Sequence, residues 1–144
     1  MEANQFIREV ETVFKTNVEK KVRVKCSKDT YKLFRDIENS TQEKLVVLHL
    51  DVDSDVICFQ VVHIGTINEA FCNPGDIFRT ALLTGAVSLI VLHNHPSGNI
   101  DPSESDKEMF NAIKGAARLF GIKILDLIII GNNKYYSAAD EGEV

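Results

Sequence analysis

Two apolar runs, Leu45 to Leu50 and Val56 to Ile64, separated only by Asp51-Val52-Asp53-Ser54-Asp55, constrain the fold of this chain most strongly. Both are rich in Val, Ile, Leu and Phe, as strands are, and the polar stretch between them reads as a hairpin connection. The two strands are therefore expected to pair antiparallel. Elsewhere helical and extended patterns interleave, so an α/β fold with a mixed, largely antiparallel sheet flanked by helices is favoured over a purely parallel doubly wound one.

The remaining elements follow from periodicity and caps. Phe6, Ile7, Val10, Val13 and Phe14 recur at helical spacing and predict an amphipathic helix over Asn4 to Lys15. Lys20 to Cys26 alternates as a strand with a charged face, and Ser27 is placed to cap a helix running to about Glu38. Asn73-Pro74 opens a further helix that Gly85 stops. Ala86 to Leu92 reads as a buried strand, Ser103 to Phe120 as a long helix ended by Gly121, and Ile122 to Ile130 as another strand. Gly131-Asn132-Asn133 is a turn signal before a short strand at Lys134 to Ser137, and the last seven residues are expected to fray. We divide the chain into a helical amino-terminal extension, residues 1–20, and one domain, residues 21–144.

With 144 residues and 44% hydrophobic content, the chain holds a core without needing a metal or disulfides as a staple. Its apolar runs fall far short of the roughly 18 residues of a membrane span, and its start lacks a basic region followed by an apolar one, so a cytoplasmic protein is expected. Cys26, Cys58 and Cys72 are scattered and lack a Cys-x-x-Cys pair, which argues against a disulfide framework or zinc ribbon. A net charge of −5 provides no general attraction to nucleic acid. The basic stretch Lys20 to Lys25 reads as a solvated strand face.

His93-Asn94-His95 follows the buried strand directly, and residues two apart on an extended chain point to the same side. Seven residues on, Ser103-Glu104-Ser105-Asp106 begins the long helix. Two imidazoles and one carboxylate are the protein share of a catalytic zinc site, which keeps its fourth position for water. Each half has a plainer reading: His-x-His is common at strand ends, and Ser103 with Asp106 forms a capping box whose carboxylate suits the positive end of the helix dipole. The two readings are compatible, because a carboxylate fixed in a first turn is also a steady ligand. The site is expected at the edge of the sheet.

His93-x-His95, seven residues, then Ser103-x-x-Asp106 resembles the complete motif of the JAMM (MPN-plus) metalloproteases, and His93-Asn94-His95-Pro96-Ser97-Gly98 resembles its form in the bacterial RadC-like JAB domain. Gly65-Thr66-Ile67-Asn68, Leu125-Asp126 and Ile128-Ile129-Ile130-Gly131 are similar to the corresponding segments, so the resemblance runs from about Val22 to the end. It implies a JAB/MPN architecture, like that of cytidine deaminases, and one zinc ion held by His93, His95 and Asp106. It also implies an upstream glutamate that deprotonates water. Glu43, in Thr41-Gln42-Glu43-Lys44-Leu45, is our candidate; its rival is Glu69. Ser103 would then donate a hydrogen bond to the oxyanion during amide hydrolysis, a role that competes with capping for its hydroxyl.

Other groups carry less. His49 and His63 lie within strands without ligand-spaced partners, and Asp101 and Glu104 are expected to solvate the loop and favour the helix start. Asp51, Asp53 and Asp55 lack the Gly and terminal Glu of a calcium loop. Asn73-Pro74-Gly75-Asp76 and Leu127 stand where many RadC-like sequences have His-Pro-Arg-Glu and a His; these changes spare the ligands. The resemblance thus implies a zinc-dependent peptidase or isopeptidase acting on a peptide or protein conjugate. The alternatives are a non-catalytic protein-interaction module and a DNA-repair-associated factor, the latter without a helix-hairpin-helix module in the first 20 residues.

Overall fold

The computed structural model of the protein describes residues 8, 10–65 and 73–144. Its centre is a five-stranded sheet built from β1 (Lys44–Leu50), β2 (Val56–Ile64), β3 (Ser88–Asn94), β4 (Lys123–Gly131) and β5 (Lys134–Ser137), in the order β2-β1-β3-β4-β5. Only the β3–β4 pair is parallel, because helix α3 (Glu104–Phe120) makes the crossover between them; the other three pairs are antiparallel. The expected mixed, largely antiparallel α/β fold is what forms.

Side chains alternate along each strand, so the sheet has two apolar faces and needs two covers. Leu45, Val47, Leu89, Val91 and Leu127 pack beneath Ile77, Phe78 and Ala81 of α2 (Pro74–Thr84) and Met109, Ile113 and Ala117 of α3. On the other face, Val46, Leu48, Ile90, Leu92, Ile128 and Ile130 are covered by Tyr31 and Phe34 of α1 (Ser27–Phe34) and by Ile37 of the 3-10 turn that follows. Central strand β3 is buried along its whole length, which explains its apolar run from Leu89 to Leu92.

Local chemistry sets the helix ends. The Asn73 side chain accepts from the Gly75 N–H at 2.8 Å, and Gly85 and Gly121 close α2 and α3 in left-handed conformations. Helix α1 is capped differently from the expectation. Its N-cap is Cys26, with Ser27 as first helical residue, and the Asp29 carboxylate reaches back to the N–H groups of Lys25 and Cys26.

Three further expectations are corrected. Described residues 8 and 10–20 contain no helix, and the rest of the expected amino-terminal helix lies outside the described residues, as do Glu69 and Cys72. The stretch from Lys20 to Cys26 is not a strand; it crosses the end of the β1–β2 hairpin and makes one bridge, Arg23 with Asp55. There Arg23 grips the Asp55 carboxylate with two hydrogen bonds and Lys21 pairs with Asp51, so cationic side chains already serve the Asp51-Asp53-Asp55 cluster. The tail is not frayed either. Buried Asp126 accepts from the Ser137 hydroxyl at 2.6 Å and the Ala139 N–H at 2.9 Å, and Tyr136 donates to the Glu143 carboxylate.

Candidate metal centre

β3 carries two functional faces at its end. His93 shares its side of the sheet with Leu89 and Val91, facing α3, whereas Asn94 points the opposite way. Helix α3 begins at that same end of the sheet, and its N-cap residue Ser103 organises the first turn. The Ser103 hydroxyl accepts from the Asp106 N–H at 3.1 Å, while Asp106 Oδ2 accepts from the Ser103 N–H at 2.8 Å. This reciprocal box holds the Asp106 carboxylate against both imidazoles.

The resulting cluster is tight. His93 Nε2 lies 3.0 Å from Asp106 Oδ1, His95 Nε2 lies 3.1 Å from Asp106 Oδ2, and the two Nε2 atoms are 3.0 Å apart. The site sits at the end of the central strand rather than at the sheet's edge. His93 is fully buried and the His95 side chain 13% exposed, so solvent reaches the cluster from the His95 side.

This donor set fits a zinc ion. Two nitrogens and a carboxylate oxygen converge, and among the described residues these three form a group able to hold a metal. His95 Nδ1 donates to the Asn99 carbonyl at 2.6 Å, so in the neutral ring the Nε2 lone pair faces the cluster, and when the ring is protonated Nε2 donates to Asp106 instead. His93 Nδ1 is buried with no hydrogen-bond partner among the described residues. The hydrogen bond with Asp106 raises the pKa of His95, aided by the charges of Asp106 and Glu43. Burial opposes ionisation of Asp106, yet hydrogen bonds from His93 and His95 hold its carboxyl well below the usual range.

Glu43 belongs to the same neighbourhood. β1 and β3 pair antiparallel with Leu45 opposite His93, so two residues further along Glu43 comes alongside His95, whose pKa its charge helps to raise. Rival Glu69 lies outside the described residues. His49 is elsewhere on β1, fully buried, opposite Leu89 rather than beside the cluster.

The structure brings forward residues that the sequence did not single out for a role. Asn94 is fully buried; its Oδ1 accepts from the Lys44 N–H at 2.7 Å and its Nδ2 donates to the Gln42 carbonyl at 3.1 Å. The available signal was an amide inside an apolar strand, which demands hydrogen-bond partners. Asn99 acts through its backbone carbonyl, so its side chain carried no signal. Gly131 underlies the histidine loop: a Cβ there would lie 3.1 Å from Gly98 Cα and 3.2 Å from the His95 carbonyl oxygen.

The family profile described as RadC-like JAB domain matches residues 24–143. A UPF0758 protein of Carboxydothermus hydrogenoformans is 43% identical over 114 residues, covering 78% of this chain and 50% of that protein. A UPF0758 protein of Methanosarcina acetivorans is 40% identical over 131 residues, covering 90% of this chain and 57% of that protein, and one of Staphylococcus haemolyticus is 35% identical over 133 residues, covering 92% and 58%. The chain thus spans about half of each relative. Among the described residues no helix is long and apolar enough to cross a membrane. On its sequence, from Val24 to Glu143, the chain belongs to the RadC-like JAB domain family.

Proposed function

We propose that this domain is a zinc-dependent hydrolase of peptide or isopeptide bonds, with His93, His95 and Asp106 as ligands. The observation that carries this reading is the convergence of two Nε2 atoms and one carboxylate within about 3 Å of each other. Among these three side chains His95 is the most exposed, at 13%. Zinc bound there supplies a water of lowered pKa and a Lewis acid for the substrate carbonyl.

The chain's own groups supply the rest. Glu43, beside His95, takes the proton from the attacking water and delivers it to the leaving amine, so no covalent acyl intermediate is needed. Ser103 donates to the oxyanion of the tetrahedral intermediate. Capping does not compete with this role, because the cap uses an oxygen lone pair and leaves the hydroxyl proton available. The buried His93 and Asp106 exclude water from the far side of the cluster, which strengthens electrostatic contacts within it.

Metal analysis of protein purified without added zinc tests the ligands. About one zinc per chain is expected, and none after His95→Ala. Glu43→Gln should keep the metal and lose turnover of a peptide and isopeptide library. Wild-type protein that cannot be loaded with zinc sinks the reading. Zinc-loaded wild type that cleaves no library member, and behaves as Glu43→Gln does, supports a non-catalytic interaction module instead. Salt-dependent DNA binding, measured on the same samples, reports on a DNA-associated role, which the net charge of −5 does not favour.

A further inference from the structure

We propose that Asn94 is the positioning residue for Glu43, an inference that rests on the hydrolase reading in which Glu43 moves the proton. Its side chain holds the backbone on both sides of that glutamate. The Gln42 carbonyl belongs to the peptide unit before the Glu43 Cα, and the Lys44 N–H to the unit after it. The orientation of one peptide plane sets φ of residue 43 and that of the other sets ψ. One buried amide therefore fixes both dihedrals, and with them the direction in which the Glu43 side chain leaves the backbone.

The contact needs one acceptor and one donor, and the Asn94 carboxamide supplies both. The Lys44 N–H can only donate and the Gln42 carbonyl can only accept, so the amide must present oxygen to one and nitrogen to the other. A third bond, from the Gly65 N–H to the Glu43 carbonyl at 2.8 Å, holds the second peptide plane from the β2 side. The β1–β3 register ends at Leu45 and His93, and beyond it the His95 N–H donates to the Ile130 carbonyl on β4. Asn94 thus continues the ladder by one rung with its side chain. Because residues alternate along β3, the strand end that turns His93 toward α3 turns the Asn94 side chain to the opposite face, from which its amide reaches the backbone at the start of β1.

The inference separates positioning from mere support. Asn94→Ala removes both bonds, Asn94→Asp keeps the acceptor and removes the donor, and Glu43→Gln leaves both in place as a control. Cobalt(II) is the metal probe. Pseudocontact shifts of isotope-labelled Glu43 report where its carboxyl group lies, the cobalt-shifted histidine ring signals report the ligands, and amide exchange of Lys44 reports the clamp.

Asn94→Ala is expected to speed Lys44 exchange at least tenfold and to collapse the Glu43 shift while the histidine ring signals stay in place. Asn94→Asp should keep Lys44 protected and shift Glu43 only partly. It also serves if the alanine variant does not fold. An unchanged Glu43 shift in either variant, with cobalt bound, overturns the proposal. So does loss of the histidine signals together with the Glu43 shift, which would make Asn94 a general support of the cluster. Wild type that takes up no cobalt instead overturns the hydrolase reading, and amide exchange on metal-free protein still decides the clamp.

Discussion

Gly131→Ala is expected to weaken metal binding from a residue that touches no ligand side chain. Gly131 lies outside the left-handed region, so its backbone tolerates alanine; only the added methyl matters. That carbon would stand 3.1 Å from Gly98 Cα and 3.2 Å from both the Gly98 and His95 carbonyl oxygens. Ordinary contact begins at about 3.4 Å, and all three neighbours are backbone, so the turn carrying His95 must move by a few tenths of an ångström. Zinc sites tolerate about 0.2 Å in ligand distance, so the shift is large enough to matter. Displacing the support of a ligand typically costs roughly 10–100-fold in affinity, about 1.4–2.7 kcal/mol. Overpacking adds roughly 1–3 kcal/mol of destabilisation. The assay is zinc competition against a chelator of known affinity, with thermal unfolding of the metal-free protein in parallel. Gly85→Ala is the control: its φ of 69° strains alanine, but nothing lies within 4 Å of the new methyl. It should lower stability by about 1 kcal/mol and leave zinc affinity unchanged. Wild-type affinity in Gly131→Ala, or an equal loss in Gly85→Ala, would refute the reasoning.

Two further predictions concern Ser103 and His49. Ser103→Ala loses both the cap and the hydroxyl proton, about 1 kcal/mol of stability and on the order of 10²-fold or more in turnover, whereas Ser103→Asp restores the cap and should recover the melting temperature without recovering turnover. His49 is fully buried, neither ring nitrogen has a hydrogen-bond partner among the described residues, and burial lowers its pKa, an effect that backbone groups of Cys58, Ile77 and Val47 only partly offset. Because its folded pKa lies below the unfolded value near 6.5, its contribution is intact above that pH and stability falls as pH drops below it, by at most about 1.4 kcal/mol per unit. His49→Leu should be at least as stable at pH 7 and show a shallower acid slope in denaturant titrations between pH 6.5 and 5; an identical slope would exclude His49 as the cause.

Much of this protein was determined locally. Hydrophobic period and composition located both arms of the hairpin, the buried strand and the long helix, because each depends on contacts within a few residues or on the face it must bury. Asn73, Gly85, Ser103 and Gly121 marked helix ends for the same reason: a cap is satisfied within one turn. The grouping of His93, His95 and Asp106 was legible too, since strand alternation puts His93 and His95 on one side and a capping box holds Asp106 in the first turn. Glu43 was legible only through family resemblance. Its place beside His95 depends on register between strands nearly 50 residues apart, which no local pattern encodes. The same limit hid the two bonds of Asn94, the approach of Gly131 to the histidine loop, the ordering of the tail by Asp126, and the failure of Lys20 to Cys26 to become a strand. In each case the deciding partner is remote in sequence, and only the packed sheet brings it within reach.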